Sequence, residues 1–378
     1  MKCLKSNWTR RVLALAMMGT FLAVGAGVAA YSSIEARAAA ADRVDNGDYE
    51  ERLNEEWGSV SCFGEKEEIL ASSPAGLHGA LRVENASLVD KNGEPFRLYG
   101  MSTHGIAWFP QYVNEDTFST LRDDWKTNCV RLAMYTEEYG GYCSGGNKEE
   151  LKALVKKGVD AAAKLGMYVI IDWHVLNDRD PNIHKEEAIA FFQEMSSLYR
   201  DRDNVLYEIC NEPNGGTSWE SIKSYAKEVI PVIRSNDKDA VIIVGTPDWS
   251  QEIDKAAESP LEYGNIMYAL HFYAGTHTDW LRQRLERCEE KGLPVFVSEF
   301  GMCDASGNGG NNFEQAAKWM NVLKKYNISC CCWNLANKAE TSSVIAPSCE
   351  KISGWTQEEL SESGRWIRDY FISQVYME

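Results

Sequence analysis

The sequence predicts an α/β protein folded as a single (β/α)8 barrel, the TIM-barrel architecture. Between about residue 96 and residue 335, short apolar and β-branched runs alternate with amphipathic segments. This pattern is typical of parallel strands joined by helices. The rival fold is an open doubly wound sheet, but the turn YGMSTHG after the first run lacks the glycine-rich phosphate-binding pattern usual there. The eight predicted strands are residues 96–102, 129–135, 168–174, 205–211, 240–246, 266–273, 294–301 and 328–335.

A short β-hairpin is predicted to precede the barrel. The stretch LRVENASLVDKNGEPFRLYG, residues 81–100, contains two strand-like runs separated by turn-forming residues. We expect the first strand at residues 81–88 and the second at residues 95–98, with the turn at Asp90–Gly93. Three helices between the barrel strands are expected at residues 148–165, 186–199 and 313–326.

The N-terminal region is typical of an exported protein. Basic residues precede an apolar run from Val12 to about Ala30, and a small-residue cleavage site follows, so residues 1–38 are predicted to be a secretory signal peptide. Because the apolar run is long, an uncleaved membrane anchor is the alternative. Residues 39–75 are predicted to be an acidic, flexible lead-in, and residues 76–378 the barrel domain.

The charge balance argues against one large class of partners. The chain has 39 basic and 56 acidic residues and a formal net charge of -17. Proteins that bind nucleic acid neutralise phosphates with clustered lysine and arginine, so no nucleic-acid partner is expected. A neutral substrate such as a sugar is compatible with this charge, and 12 tryptophans and 17 tyrosines supply flat faces on which sugars could stack.

The cysteines do not predict a metal site. No C-x-x-C pair occurs among the 11 cysteines, and no paired cysteine and histidine spacing typical of zinc sites is present. Several cysteines, namely Cys129, Cys210 and Cys330–Cys332, lie in strand-like runs and are predicted to be mostly unpaired, buried thiols. The candidates for disulfide bonds are those in loop-like surroundings, Cys62, Cys143, Cys303 and Cys349.

Side chains capable of chemistry are concentrated where the predicted strands end. In barrel enzymes the catalytic groups lie at the carboxyl ends of the strands, where the loops to the helices begin. Here nearly every strand end offers a hydrogen-bonding, ionisable or aromatic side chain. These residues are His104, Arg131, Tyr135, His174, Asn211, Glu212, Trp249, His271, Tyr273, Glu299 and Trp333.

Two of these residues, Glu212 and Glu299, are carboxylates suited to glycoside hydrolysis. That reaction needs one protonated acid for the leaving oxygen and one ionised nucleophile or base, whose pKa values must be pushed apart by their surroundings. Arg131 is positioned to hold one glutamate ionised by charge attraction. Glu208, four residues before Glu212, and Asp172 are interpreted as structural barrel residues.

The strand-end motifs resemble glycoside hydrolase family 5 of clan A, and most nearly its bacterial endo-β-1,4-glucanase subfamily 2. The similar segments are LYEICNEPNG, YVIIDWHVLNDRDPNIHKEEA, HFYAGTHTDWLR and VFVSEFG, and the resemblance spans about residues 81–372. Asn-Glu-Pro after a fourth strand, together with a glutamate at the end of a seventh, is the mark of the clan. The resemblance implies the same barrel fold that the strand pattern predicts.

The resemblance also implies roles for individual residues. Glu212 is similar to the family's general acid/base and Glu299 to its nucleophile, with the two carboxyl groups about 5–5.5 Å apart as in retaining enzymes. Asn211 would bind the 2-hydroxyl of the reacting sugar, and Trp333 would stack beside it. The other implied supporting residues are Arg131, His174, His271 and Tyr273. The implied substrate-binding residues are His104, Trp108, Tyr135, Trp249, Lys338 and Glu340.

The function expected from the resemblance is that of a secreted, retaining endo-β-1,4-glucanase acting on cellulose or related β-glucans. We expect no cofactor and no metal, a β-glucan as the only partner, no membrane contact after signal removal, and a monomer. An endo-β-mannanase or xyloglucanase of the same family is the nearest alternative. An alternative from another class is a non-catalytic glycan-binding barrel.

Overall fold

The structure, a computed structural model, describes residues 70–375 and contains a closed barrel of eight parallel strands. Each barrel strand pairs with its neighbours in sequence, and the last strand pairs with the first. The predicted (β/α)8 fold is therefore confirmed. The predicted signal peptide, and the lead-in up to residue 69, lie outside the described residues. The strands are β1 Arg82–Glu84, β2 Ser87–Val89, β3 Tyr99–Thr103, β4 Cys129–Tyr135, β5 Tyr168–His174, β6 Val205–Glu208, β7 Ile242–Val244, β8 Ile266–Tyr273, β9 Val295–Gly301 and β10 Cys330–Leu335.

Helices connect the barrel strands in the predicted alternation. Several begin at a polar residue that accepts a backbone hydrogen bond, as Asn114 does from Thr117 N. Within residues 70–375, none of the helices combines the length and the apolar character needed to cross a bilayer. The α-helices are α1 Pro74–His78, α2 Glu115–Asp123, α3 Lys148–Lys164, α4 Lys185–Tyr199, α5 Trp219–Asn236, α6 Pro247–Ser250, α7 Ile253–Glu258, α8 Asp279–Glu290, α9 Phe313–Lys325 and α10 Glu362–Val375, with 3-10 turns at Pro110–Tyr112, Pro181–His184 and Gln357–Glu359.

The two-stranded sheet turns at a different place from the one predicted. Strands β1 and β2 are joined by Asn85 and Ala86, whose φ angles of 49° and 66° are both positive, as a two-residue hairpin turn with the twist of its strands requires. The predicted turn at Asp90–Gly93 is present, but it leads only to a single bridge between Val89 and Pro95. The predicted first strand is thus itself a complete hairpin. The sequence did not predict a turn at Asn85 and Ala86 because alanine rarely adopts a positive φ.

Alternation along β4 explains how the barrel separates an outer apolar layer from its interior. Successive side chains of a strand point to opposite faces. One set packs in the large apolar layer that includes the helices, and the other points into the barrel. The outer set is Val130, Leu132 and Met134, and the inner set is Cys129, Arg131, Ala133 and Tyr135.

The barrel interior is apolar at the amino ends of the strands. Leu81, Leu88 and Leu98 from the N-terminal segment pack there with Ile170 of β5 and Phe296 of β9. This apolar packing fills the lower half of the barrel and leaves polar chemistry to the opposite end. Arg131 lies one inward position above the layer, where the polar site begins.

No disulfide bond occurs within the described residues. Cys143, Cys303 and Cys349, three of the candidates for pairing, are free thiols, and Cys62 lies outside the described residues. The prediction of disulfides at these three positions is therefore wrong. Loop-like sequence surroundings did not mean exposure, because Cys303 and Cys349 are buried against neighbouring side chains.

Candidate active site

Two glutamates from separate strands meet at the carboxyl-end mouth of the barrel. Glu299 is in β9, and Glu212 lies in the segment after β6, where its backbone N–H donates to Val175 O at 3.1 Å. One carboxylate oxygen of each glutamate lies within 4.8 Å of one of the other. Glu212 is only 9% exposed and Glu299 only 4%, so solvent screens their interaction weakly.

Glu299 is surrounded by groups that stabilise its ionised form. The Tyr273 hydroxyl donates to Oε1 at 2.7 Å, and Arg131 Nη1 donates to Oε2 at 3.3 Å. Burial acts to raise the pKa of Glu299, but the positive charges of His271 and Arg131 and the tyrosine hydrogen bond outweigh it. The pKa of Glu299 is therefore lower than its ordinary value, and the group is a carboxylate at neutral pH.

Glu212 has the opposite balance. Burial, and next the negative charge of Glu299, raise the pKa of Glu212 to about 7, although His271 acts to lower it. His271 Nδ1 lies 2.9 Å from Glu212 Oε1. Glu212 can therefore hold a proton near neutral pH while Glu299 remains ionised. This separation of pKa values is the condition for acid and nucleophile roles in one site.

Arg131 is the fully buried centre of this network. Its Nε donates to Glu208 Oε2 at 2.7 Å, and its Nη2 lies 2.6 Å from Asn211 Oδ1 and 3.0 Å from Asp172 Oδ2. The same guanidinium reaches Glu299, so several acceptors from different strands are fixed by one planar group. The prediction that Glu208 and Asp172 have structural partners agrees with these contacts.

The charges of the cluster balance when two of its four carboxyl groups are protonated. Burial acts to raise the pKa of Glu208, but Arg131 and His271 lower it to about 2. Burial also acts to raise the pKa of Asp172, and there it prevails over the attraction of Arg131, so that pKa is well above the ordinary value. Arg131 and protonated His271 therefore face the carboxylates Glu208 and Glu299, while burial favours the protonated forms of Asp172 and Glu212.

His271 is connected to this cluster through Ser298. His271 Nε2 lies 2.9 Å from Ser298 Oγ, which donates to Glu208 Oε1 at 2.6 Å. Burial acts to lower the pKa of His271, but its hydrogen bonds to Glu208 and Glu212 raise it to about 9. Protonated His271 donates from both ring nitrogens, which fixes its orientation beneath Glu212.

His174 and Asn211 form a second hydrogen-bonded pair above Arg131. His174 Nδ1 lies 2.6 Å from Asp172 Oδ2, and Asn211 Nδ2 lies 3.2 Å from His174 Nε2. Burial, and next the charge of Arg131, lower the pKa of His174 well below its ordinary value. The Nε2 atom of the neutral imidazole can therefore accept a hydrogen bond from the Asn211 amide. Asn211 Nδ2 also donates to Val175 O at 3.1 Å. A ligand hydroxyl that binds this amide would therefore share its two N–H groups with His174 and Val175.

An aromatic cluster lines one side of the mouth; we define it as His104, Trp108, Tyr135 and Trp333. The rings of Trp108 and Tyr135 have centroids 4.6 Å apart, and His104 lies 5.1 Å from Trp333. Trp333 also stacks on His174 at 5.3 Å with an interplanar angle of 18°. The cluster offers the kind of flat apolar surface that packs on the faces of sugar rings.

Lys338 and Glu340 lie beside the aromatic cluster in the loop after β10. Lys338 Nζ lies 2.5 Å from Glu340 Oε2, and Glu340 Oε1 lies 3.6 Å from His104 Nε2. Burial acts to raise the pKa of Glu340, but its contacts with His104 and Lys338 lower it to about 2. The Lys338 side chain is 47% exposed, so it presents a charged donor to the solvent-filled mouth.

A cavity of about 540 Å³ lies over the two glutamates, and no member of the aromatic cluster lines it. Trp249, 43% exposed, forms part of its wall. Within the short element α6, Asp248, Trp249 and Ser250 have φ angles of 56°, 55° and 55°, so the element is a left-handed turn and not a regular α-helix. Such a turn costs about 1–2 kcal/mol per residue. Its contacts to the Glu212 segment compensate, because Trp249 N donates to Pro213 O at 3.1 Å and Ser250 Oγ donates to Asn211 O at 2.7 Å.

Sequence reasoning missed four residues that line the cavity, Asp248, Gln251, His277 and Ala305. Although His277 lies in a loop, it is only 5% exposed, and its Nδ1 accepts from Tyr273 N at 2.8 Å. Burial lowers the pKa of His277 to about 4, so it is neutral. Its position four residues after Tyr273, in the loop that leaves β8, was the available signal.

Glu212, His271 and Glu299 are also spaced closely enough to hold a metal ion. Both nitrogens of His271 are already engaged, one with Glu212 and the other with Ser298. A metal would have to replace these contacts and separate the acid from its histidine. The expectation that no metal takes part stays a prediction, and chelation can test it.

Comparison with known proteins places these residues in a family context. The family model for cellulase, glycosyl hydrolase family 5, matches residues 89–339. Endoglucanase A of Butyrivibrio fibrisolvens is 50% identical over 301 residues, which are 79% of this chain and 70% of that protein. Endoglucanase 5 of Pectobacterium carotovorum subsp. carotovorum is 48% identical over 301 residues, which are 79% of this chain and 59% of that protein.

The fold matches solved structures along most of the chain. The catalytic domain of a Thermobifida fusca endoglucanase, crystallised with cellotetraose, is similar with a TM-score of 0.76 and 38% identity; the match covers 80% of this chain and 100% of that one. Across five curated endoglucanases, the matched region spans only 56% to 70% of the relative's length. The similarity therefore concerns the barrel and the site at its mouth.

Proposed function

Because the chain belongs to glycoside hydrolase family 5, we propose that it is a retaining endo-β-1,4-glucanase that cleaves internal bonds of cellulose or related β-glucans. The observation that carries this proposal is the pair of glutamates, Glu212 and Glu299, with oxygens within 4.8 Å and pKa values displaced in opposite directions. Retaining enzymes hold their carboxyl groups about 5–5.5 Å apart, and inverting enzymes about 6.5–9.5 Å apart. A distance of at most 4.8 Å between the nearest oxygens is compatible with the retaining spacing, and the anomer of the first product decides between the two mechanisms.

In the first step, Glu299 attacks the anomeric carbon, and protonated Glu212 gives its proton to the oxygen of the departing sugar chain. The bond from the anomeric carbon to that oxygen breaks as the glycosyl ester of Glu299 forms. Esterification removes the negative charge of Glu299, which had helped to raise the pKa of Glu212. The pKa of Glu212 then falls, which suits it to act as a base.

In the second step, Glu212 takes a proton from water, and the water oxygen attacks the anomeric carbon. The ester bond breaks, Glu299 is released as a carboxylate, and Glu212 is again protonated. Tyr273 and Arg131 orient Glu299 through the hydrogen bonds described above. His271 holds Glu212 beside the leaving oxygen, and no cofactor enters either step.

The proposed substrate is a β-1,4-linked glucan that binds along the mouth of the barrel. Sugars before the cleaved bond would lie at the aromatic cluster with Lys338 and Glu340, and sugars after it in the cavity beside Trp249. Asn211 and His174 would contact the reacting sugar. This assignment is supported by the endoglucanase names of the relatives and by cellotetraose in one similar structure. We further expect the protein to be secreted and to act as a monomer.

A hydrolysis screen with product analysis tests the proposal. We expect new reducing ends from carboxymethylcellulose and mixed-linkage β-glucan, and a β-anomer as the first product in NMR spectra of freshly cleaved cello-oligosaccharides. Cleavage of mannan or xyloglucan alone would transfer the specificity to the alternative enzymes of the same family. An initial α-anomer would overturn the retaining mechanism.

The variant Glu299→Gln distinguishes the proposed enzyme from the alternative of another class, a non-catalytic glycan-binding barrel. The amide cannot attack, so hydrolysis should be lost while binding of cello-oligosaccharide, measured by calorimetry, persists. Binding without hydrolysis in the unsubstituted protein would favour the glycan-binding alternative. Activity that disappears in EDTA and returns with a divalent metal would contradict the metal-free reaction.

A further inference from the structure

Trp280 is an exposed aromatic residue on the catalytic face of the barrel. It is the second residue of α8, the helix that begins directly after the loop from β8. The carboxyl end of β8 carries His271 and Tyr273 of the active site, so the first turn of α8 lies at the same face. The side chain is 45% exposed, about as much as that of Trp249. Trp319, by contrast, is fully buried.

The ring of Trp280 is held from below by Arg284. The guanidinium carbon of Arg284 lies 5.6 Å from the ring centroid, within the range of a cation–π contact. Arg284 Nη1 donates to Gln251 O at 3.0 Å, and its Nε lies 3.2 Å from Asp254 Oδ1. Arg284 therefore connects Trp280 to the loop that carries Trp249 and fixes the direction of the exposed ring.

A second contact ties Trp280 to the cavity itself. Its ring meets His277 edge to face, with centroids 5.8 Å apart and an interplanar angle of 76°. His277 is anchored by Tyr273 N and by Trp319 Nε1, which donates to His277 O at 2.6 Å. Both His277 and Gln251 line the cavity over the glutamates. Trp280 thus stands next to the wall of the cavity, on the outer side of these two residues.

Isolated exposed apolar residues are common on protein surfaces and need no explanation by themselves. Trp280 differs because both of its supports are connected to cavity-lining residues. A rigidly held indole ring with one open face, adjoining a cleft, is suited to pack on the apolar face of a sugar ring. The aromatic cluster on the other side of the glutamates already offers such faces.

We propose that Trp280 is a distal platform for the leaving-group part of a β-glucan chain, stacking on a sugar beyond the one beside Trp249. The inference rests on the proposed function, since the position of the acid Glu212 defines which side the leaving group occupies. The site extends the cleft by one sugar-binding position, which only longer chains reach. Its ligand is a neutral β-linked hexose unit in an extended oligosaccharide.

Chain-length dependence tests the proposal. For Trp280→Ala we expect kcat/KM on cellohexaose to fall about three- to tenfold, the range of an aromatic contact, while an aryl cellobioside is cleaved as before. The aryl group is too short to reach Trp280, and its cleavage reports the two glutamates alone. Trp280→Tyr, which keeps a ring, should recover most of the activity on cellohexaose. The cleavage positions in cellohexaose, followed by chromatography, should shift toward fewer sugars on the leaving side.

Leu198→Ala is the matched control, because Leu198 is 52% exposed near the end of α4, at the other end of the barrel. It should leave both substrates unaffected. If circular dichroism shows that the Trp280→Ala variant is unfolded, Trp280→Gln is used in its place. Equal kcat/KM for the variant and the unsubstituted protein on cellohexaose, or an equal loss on both substrates, would overturn the inference. A chain that cleaves neither substrate before any substitution would instead refute the proposed function.

Discussion

Glu212 and Glu299 have oxygens within 4.8 Å of each other, yet each is hydrogen-bonded to a different cation. His271 contacts Glu212 at 2.9 Å, and Arg131 contacts Glu299 at 3.3 Å. Arg131 is permanently charged, while His271 itself titrates. The fixed charge thus faces the group that must stay ionised, and the titratable partner faces the group that must exchange a proton.

The pH dependence of cleavage should show both glutamates. Because the pKa of Glu212 is raised to about 7, kcat/KM should fall as the pH rises through about 7 and the acid loses its proton. Because the pKa of Glu299 is lowered, the acidic limb should lie below the ordinary glutamate range. Glu212→Gln should lower kcat/KM on cellotetraose about 10²–10⁴-fold and abolish the basic limb.

The matched measurement for Glu212→Gln uses an aryl cellobioside with a good leaving group. Such a substrate needs little help from an acid, so its first step should survive and the glycosyl ester should accumulate as a burst of released phenol. A basic limb that persists unchanged in Glu212→Gln would exclude Glu212 as the group that titrates there.

Arg131→Lys should disturb the nucleophile and the fold together. A lysine ammonium cannot reproduce the planar contacts to Glu208, Glu299 and Asn211, so the pKa of Glu299 should rise and the acidic limb should move to higher pH. Leaving buried carboxylates without their partner costs about 3–5 kcal/mol, and urea unfolding should show a loss approaching that size. An unchanged acidic limb would mean that Arg131 does not hold Glu299 ionised.

Ser250 is expected to couple the Trp249 turn to the Glu212 segment. Ser250→Ala leaves the buried Asn211 O without its donor, which costs about 1–3 kcal/mol. Ser250→Gly loses the same hydrogen bond but relieves the left-handed φ of 55°. Urea unfolding should therefore rank the glycine variant as the more stable of the two.

Activity of the same two variants separates positioning from stability. If the hydroxyl positions the acid, both should lose kcat to a similar extent despite their different stabilities. Activity that follows the unfolding free energy instead would assign Ser250 a structural role alone.

Glu289 in α8 should make the fold less stable as the pH rises. Its Oε1 atom is buried without a hydrogen-bond partner, and burial raises its pKa to about 8. The folded state therefore holds a proton that the unfolded chain releases above its ordinary pKa of about 4.5, so stability is lost as the pH rises from about 4.5 to 8. Glu289→Gln should unfold at a higher temperature than the unsubstituted protein at pH 8, and at a similar one at pH 4. The exposed neighbour gives the control, Glu290→Gln, which should show no such pH-dependent difference.

The barrel was predictable because strand and helix periods differ, and because strand ends converge on one face. Arg131 and Glu299 could be found this way, as both lie in long strands with regular alternation. The Trp249 turn could not, because three consecutive left-handed residues, none of them glycine, have no local sequence signal. Their conformation depends on hydrogen bonds to the Glu212 segment, which is distant in sequence.

The sharing of the Arg131 charge between several carboxyl groups could not be predicted from the sequence either. The sequence indicates that Arg131, Asp172 and Glu208 are barrel residues, but not that one guanidinium contacts both carboxyl groups. Which of the acids keeps its proton depends on distances of a few ångströms and on burial. Likewise, its place in the loop after β8 puts His277 near the site, but nothing in the local sequence shows that its side chain is buried.

The reactivity of the unpaired cysteines can report which part of the barrel opens. Burial raises the pKa of Cys303 and Cys330 to about 12, and alkylating reagents attack thiolates, so the folded state protects these thiols. Cys330–Cys332 lie in β10, where the cylinder closes onto β3. Modification of these cysteines would show that β10 has separated from β3. Modification of Cys288 in α8 would show that the outer helical layer has detached. Mass spectrometry of labelled peptides can therefore resolve the order in which the layers separate.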